Sequence, residues 1–546
     1  MPNSPHVVPI DCKFVSDGLA PFFKKWHYKN PVFISAQTGS GKNTFILHSL
    51  LPYAKKEGKS ILMICNRIAL NIQQKRLILK AQNLQEVSSD DDLEAMEKLG
   101  IVTFWNYQKV LAYIPPCDIS VSTPYYFDYI IFDEAHYFIS DALFNPFTGQ
   151  ALDRLLHAFP RSVHIFMSAT PSDTLAPLFS MESYYYSLKQ TNPTIPVNFY
   201  CGSDNTLQVG EVLTVYDFIR NYNGFSFTFF SEYHQIVRLI QADSSSNKWL
   251  WFVDSKKNGA LLKKKLTSDI ADYLDSSRKN SKNAAWAAVL DGKLQKKVLL
   301  TTSVIDNGIS INDQDVTNIV VSAIDQITLM QMVGRRRISE GEQVRLFIRV
   351  PTAKDWAVYR NQTAKLVRIV ESWEQAQQAQ FQGRPTHFLQ RNWSRLDNNA
   401  RKLFYINNND QPVLNMLAKY KLNLLQDFYR QIQDDSEKYG GSAFPRTVLK
   451  WFGRENEYDD PLWLGCENRE ATLQILLEFL HSHSVVASHD YISFYDDFMT
   501  YYFKITYKKI RIRKGAELAT INEGLAALEL SFKYKKRNDR WILFEK

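Results

Sequence analysis

The chain has 546 residues, enough for roughly two to four domains, and its 45% hydrophobic and 22% charged content excludes wholesale disorder. Net charge is +8, but twelve Lys or Arg against five Asp or Glu from 501 to 546 place +7 at the C-terminal end, which suggests a polyanionic partner rather than a merely solvated basic face. Five scattered cysteines without C-x-x-C spacing argue against a disulfide framework or zinc site and for a reducing cytoplasm, and neither a signal peptide nor an apolar run of the roughly 18 to 20 residues that span a bilayer is found.

Short continuous apolar runs recur through the first 350 residues: "PVFI" at 31–34, "ILMIC" at 61–65, "DYIIF" at 128–132 and "VHIFM" at 163–167. A second group follows, with "WLWFV" at 249–253, "VLLTT" at 298–302, "NIVV" at 318–321 and "VRLFI" at 344–348. Unbroken apolar runs mark strands buried on both faces, as in parallel sheets, and helical spacings between them imply α/β layers. Residues 1–190 and 235–350 are therefore expected to form two α/β domains, joined by a turn-rich segment at 191–234. Beyond 350 the patterns become mostly helical. Residues 351–480 read as a helical accessory region and 481–546 as a basic terminal module.

Between the strand "PVFI" and the helical "TFILHSLL" lies "AQTGSGKN", a Gly-rich turn in the context that a phosphate-binding loop requires. Gly39 and Gly41 let backbone N–H groups of Thr38, Ser40 and their neighbours approach phosphates, and Lys42 reaches the β- and γ-phosphates. Such loops continue with a hydroxyl that binds magnesium; here Asn43 takes that place and the hydroxyl arrives at Thr44. Asn43 offers an amide oxygen to a hard cation, and Thr44 is expected to point into the helix. Ninety-one residues after Lys42, the strand "DYIIF" delivers Asp133 and Glu134 to its carboxyl end. One carboxylate there can hold magnesium while the other orients or deprotonates water.

With these motifs the chain resembles a superfamily 2 helicase of the DEAH type. "AQTGSGKN" resembles motif I, "DEAH" at 133–136 motif II, and "SAT" at 168–170 motif III. "CNRIALNIQQ" at 65–74 is similar to motif Ia and "GIVTFWNYQ" at 100–108 to motif Ib. "LWFVDSKKNG" resembles motif IV, "LLTTSVIDNGISI" at 299–311 motif V, and "QMVGRRR" at 331–337 motif VI. The resemblance covers about 30–350 and implies two tandem RecA-like domains with ATP and Mg2+ between them. Gln331, Arg335 and Arg337 would reach across to the nucleotide, and Asp306 and Gly308 would lie near it. His136, Ser168 and Thr170 would couple hydrolysis to domain movement. Arg67, Thr103, Thr301 and Thr302 would contact the nucleic-acid backbone. Ordinary alternatives stay open: a satisfied histidine at 136, turn-capping hydroxyls at 168 and 170, a surface charge at 67.

Motif VI departs from the frequent Q-x-x-G-R-x-G-R form. The eighth position is Ile338, so the second arginine finger falls to Arg337 or Arg336. The shortened form is similar to helicases of phages, mobile elements and origin-binding proteins, which favours DNA over RNA. At the C-terminal end, Leu518, Ile521, Leu525 and Leu528 form an amphipathic stripe, and "SFKYKKRNDRWILFE" reads as a hairpin. A helix followed by a basic hairpin suggests a winged helix. Lys535, Lys536, Arg537 and Arg540 would face phosphates, and Trp541 would fill the core or stack on a base, with the core favoured. Two functions follow: a nucleic-acid-dependent ATPase, or a binding or scaffold protein whose ATPase has decayed at Asn43 and motif VI.

Overall fold

The computed structural model describes residues 6–28, 30–64, 68–85, 87, 89–114, 124–170, 213–278, 283–302, 309–339, 341–381, 393–407, 411–456, 463–464, 469–506, 516–528 and 530–545. They form two compact units. The first comprises Met1–Gly224, Ser245–Val344 and Ala353–Asp427; the second comprises Phe225–Ser244, Arg345–Thr352 and Phe428–Lys546. No helix among the described residues is long and apolar enough to cross a membrane.

The first unit is built on two sheets. One contains β1 (His6–Ile10), β2 (Val32–Ser35), β3 (Ile61–Ile64), β4 (Lys98–Leu99), β5 (Val102–Trp105), β6 (Tyr129–Phe132), β7 (Val163–Ser168) and β8 (Thr214–Phe218). Their order is β1-β8-β2-β7-β6-β3-β5-β4, all parallel except β4. The apolar runs divide by period two. Phe33, Leu62, Ile64, Ile130, Phe132 and Phe166 pack on one face, and Ile34, Ile61, Met63, Ile131, Ile165 and Met167 on the other. The segment at 191–234, expected as a connector, supplies β8 to this sheet.

The second sheet of this unit runs β11-β12-β10-β13, where β10 is Lys248–Phe252, β11 Ala271–Leu274, β12 Val298–Thr301 and β13 Val316–Val321. All three pairings are parallel. These two α/β layers are the tandem RecA-like domains expected from the sequence, followed by a mainly helical C-terminal region.

Part of the accessory region belongs to the first unit's core. Val370 of the Ala353–Phe381 helix, Leu403, Phe404 and Leu414 of a short hairpin, and Leu417, Ala418 and Leu422 pack with Tyr137, Phe138 and Leu152. Buried Asn415 fixes the junction. Its Nδ2 donates to the carbonyls of Ala142 and Asn145 and to Thr148 Oγ1, and its Oδ1 accepts from Gly149 N. The clamped stretch is the one that leaves "DEAH", so the accessory region braces the exit of that motif.

In the second unit, β9 (Phe225–Phe230) lies beside β14 (Val344–Arg349), and Phe452 and Trp463 pack against Phe227 and Phe229. The chain then runs through helix Arg469–Ser482, strand β17 (Val485–Ala487), helices Tyr491–Thr506 and Glu517–Ala527, and hairpin β18 (Phe532–Arg537) and β19 (Arg540–Glu545). β17 pairs antiparallel with β19, giving the connectivity of a winged helix. Trp541 is buried and stacks on Tyr491 at 3.8 Å, so it fills the core.

His164 is buried in β7 beside Phe132, and its Nε2 has no hydrogen-bond partner among the described residues. Burial pushes its pKa from 6.5 down to about 4. The folded state therefore resists a proton that the unfolded chain accepts. Stability is complete above about pH 6.5 and is lost as pH falls toward 4, by about 2 kcal/mol at pH 5. His164→Leu should shrink the fall in melting temperature between pH 7.5 and pH 5; an unchanged fall would contradict this assignment.

Candidate active site

Three carboxyl ends meet side by side, those of β2, β7 and β6. After β2 the chain must turn sharply into a helix that begins at Lys42. Gly39 (φ 90°) and Gly41 (φ 83°) take left-handed conformations that side chains disfavour. Ala36 N donates to Ser168 O at 3.2 Å, tying the loop to β7. Lys42 is buried, and its Nζ donates to Ala36 O (2.8 Å) and Gln37 O (3.1 Å). Burial lowers its pKa against the pull of Glu134 and Asp133.

The helix buries Lys42, Phe45, Ile46 and Leu50, which leaves position 44 outside. Thr44 is therefore exposed rather than turned into the helix, with Oγ1 lying back toward Gly41, and Asn43 is half-buried on the first turn. The helix carries a π turn at Ile46–Leu50, a local widening common near functional sites.

Asp133 and Glu134 follow β6. Asp133 N donates to Ile64 O and Ala135 N to Met167 O, so both neighbouring strands fix this turn. Glu134 is held at φ 51°, a conformation that costs a non-glycine residue and persists only when its surroundings enforce it. Burial and the adjacent Glu134 charge raise the Asp133 pKa to about 6, opposed by a hydrogen bond from Gln74 Nε2 (2.5 Å) and by Lys42. Burial alone would raise Glu134 as well, but His136, Lys42, Arg335 and Arg337 together hold it below the usual carboxylate range. His136 Nδ1 lies 3.4 Å from both Glu134 Oε2 and Ser168 Oγ, and Ser168 Oγ lies 3.3 Å from Thr170 Oγ1. The structure thus brings the three expected coupling residues, all buried, into one chain of contacts that begins at half-buried Glu134.

The cations that face this pair come from the second sheet's side of the unit. The helix Gln326–Val333, capped by Asp325, ends at Gly334, where any side chain would strike Thr38 of the loop. Beyond it the backbone is no longer helical: Ile311 N donates to Arg335 O, and Arg337 N to Ile311 O. Side chains then alternate, and the helical face sharing expected for Arg335 and Ile338 does not apply. Arg335 donates to Gln331 Oε1 at 2.7 Å and Gln331 O at 3.0 Å. Arg337 is anchored on Ser310 Oγ (3.1 Å), and its Nη1 would lie 2.6 Å from a Cβ placed on Gly39. Arg336 goes the other way, to Val316 O and the Glu342 carboxylate, each at 3.1 Å. Arg337, not Arg336, is the arginine beside the loop.

The residues fit a magnesium-bound nucleoside triphosphate. Among the described residues, neither buried Gln331 Nε2 nor Glu134 Oε2 makes a hydrogen bond, the latter having only the His136 ring 3.4 Å away. A glycine cradle, three cations and two carboxylates line the site.

Other expected residues are placed differently. Thr103 in β5 and Thr302 after β12 are half-exposed. Thr301 is fully buried and donates to Thr302 O, so its hydroxyl is not offered to solvent. Arg67, Asp306 and Gly308 lie outside the described residues. Sequence reasoning missed Gln74 and Ser310, whose roles depend on what they meet in space; Gln74 ends the "CNRIALNIQQ" motif, but no spacing announces Asp133 as its partner.

Residues 14–173 match the family model described as "Type III restriction enzyme, res subunit", which supports a helicase superfamily 2 domain over that part of the chain. The curated proteins contain no match. Among solved structures, S. cerevisiae Dbp5 bound to RNA and ADP BeF3 is 14% identical, with a TM-score of 0.39, covering 61% of this chain and 82% of that one. The Escherichia coli DEAH/RHA helicase HrpB is 16% identical, also with a TM-score of 0.39, covering 63% of this chain and 43% of that one.

Proposed function

We propose that the chain is a nucleic-acid-stimulated ATPase of the DEAH helicase type, acting in the cytoplasm to translocate on or unwind nucleic acid, DNA in preference to RNA. The observation that carries this reading is the convergence of buried Lys42 and Asp133 with half-buried Glu134 and Arg337 at one site. Lys42 and the backbone N–H groups from Thr38 to Thr44 would bind the phosphates. Asp133 and the amide oxygen of Asn43 would hold magnesium, which when bound neutralises charge on the phosphates. Gln74 sets the orientation of Asp133. Glu134, ionised at neutral pH by its surrounding cations, orients the attacking water and accepts its proton. Arg337 offers its fork to the γ-phosphate, a contribution worth ~10³ or more in rate, while Arg335 and Gln331 act as a joined second group.

The contacts Glu134–His136–Ser168–Thr170 offer a route by which a change at the γ-phosphate reaches the end of β7. Arg67, Thr103 and Thr302 would hold the nucleic-acid backbone, as would the hairpin carrying Lys535, Arg537 and Arg540. DNA is our choice because the Q-x-x-G-R-x-R form of motif VI is similar to that of helicases of phages, mobile elements and origin-binding proteins. The decayed-ATPase alternative draws only on Asn43 and motif VI, and the mutually compensated charges at 42, 133, 134, 335 and 337 weigh against it.

ATP hydrolysis should rise when single-stranded DNA is added, more than with RNA of the same length, and Lys42→Ala should remove it. Equal phosphate release by both proteins, with and without nucleic acid, would refute the reading. Asn43→Thr should keep magnesium dependence and hydrolyse ATP at an equal or higher rate; abolished hydrolysis would refute the role given to the Asn43 amide.

A further inference from the structure

We propose that the C-terminal module binds the phosphate backbone of nucleic acid through the outer face of its hairpin, and not by inserting its third helix into a groove. The proposal rests on the nucleic-acid-dependent reading above and specifies the surface and the mode.

The pleat sorts the hairpin residues. Tyr534 and Trp541 are buried, with Val486 beside them, so 532, 534, 541 and 543 face the core. Lys533, Lys535, Arg537 and Arg540 take the opposite face, all exposed, together with Ile542, Phe544 and Val485. No acidic residue occupies that face in β17, β18 or β19. Lys536 is directly across from Trp541 on the core side and pairs with Asp539 at 3.2 Å, so it leaves the set of four cations expected from the sequence.

Two details indicate that the cations are held for a partner. Lys535 Nζ and Arg537 Cζ lie 5.0 Å and 5.3 Å from the Phe544 ring centroid, which orients both before any partner arrives. Arg537 and Arg540 are directly opposite one another across the last pair before the turn. Like charges in that position repel and destabilise a hairpin, a cost that a polyanion would remove. The turn itself is two residues, Asn538 (φ 47°) and Asp539 (φ 54°), the tight form that keeps strand register fixed. Along β18 the outer cations recur at roughly 6.7 Å.

The third helix, Glu517–Ala527, has the opposite character. Its exposed positions are Ala519, Glu523, Ala526 and Ala527, and its only charges are Glu517 and Glu523. It offers a groove neither cations for phosphates nor side-chain donors for base edges. A surface with backbone contacts and no base readout binds without sequence preference.

The test uses the full chain without nucleotide. Anisotropy of fluorescein-labelled oligonucleotides is measured over a KCl series with a dT single strand and two duplexes of unrelated sequence. The triple variant Lys535→Ala/Arg537→Ala/Arg540→Ala should bind at least tenfold more weakly, and its slope of log affinity against log salt should shrink by about 2 to 3. Lys536→Ala and the helix variant Ala519→Glu/Ala526→Glu should change affinity less than twofold, and the two duplexes should bind alike. Unchanged binding and slope in the triple variant, an equal loss in the helix variant, or tenfold discrimination between the duplexes would overturn the inference while leaving the ATPase reading intact. Loss of phosphatidylserine-vesicle binding in the triple variant with oligonucleotide binding preserved would assign the face to a membrane and overturn it too. A wild-type chain that binds none of the oligonucleotides would instead defeat the broader reading.

Discussion

Two adjacent carboxylates, Asp133 buried and Glu134 half-buried, are the constraint around which the rest of the first unit is arranged. Unpaired, each charge would cost several kcal/mol to remove from water, and their mutual repulsion would add to it. The compensation arrives from distant parts of the chain: Lys42 from the loop after β2, His136 from the next turn, Gln74 from the helix after β3, and Arg335 and Arg337 from beyond the second sheet. The result is asymmetric. Asp133 is pushed toward the protonated form and Glu134 is kept ionised, so neighbouring groups of one chemical type receive different environments. A divalent cation beside Asp133 would reverse its bias, which is why the same geometry suits a metal ligand next to a base.

Support for this arrangement extends beyond the two parallel sheets. Apolar residues at 370, 403, 404, 414, 417, 418 and 422 close one face of the first sheet, and Asn415 stitches them to the stretch from Ala142 to Gly149. The accessory region is therefore part of the body that holds "DEAH" in place. The C-terminal winged helix has a separate core, centred on Phe494, Tyr534 and Trp541.

The strands that carry the motifs were legible because each is buried on both faces and so reads as an unbroken apolar run. β8 was not: "TVYDF" alternates and follows a turn-rich stretch, and its place depends on pairing with β1 and β2, far away in sequence. The Gly-rich loop, the carboxylate pair and the basic hairpin were legible for a local reason, since residue type and the flanking elements define them. What escaped depends on tertiary contact. Gln74 gains meaning only from the 2.5 Å approach to Asp133, and Thr301 loses its expected exposure because β12 is central in its sheet. The choice between Arg336 and Arg337 turned on where the helix ends. Once the chain leaves the helix at Gly334, alternation sends 335 and 337 one way and 336 the other.

The central claim is that Arg337 completes a site whose other half is Lys42, Asp133 and Glu134. Single-turnover hydrolysis of ATP by Arg337→Ala, measured alongside nucleotide affinity, tests it most directly. The account predicts a hydrolysis rate lower by ~10³ with nucleotide still bound. Hydrolysis by Arg337→Ala at the wild-type rate would contradict it.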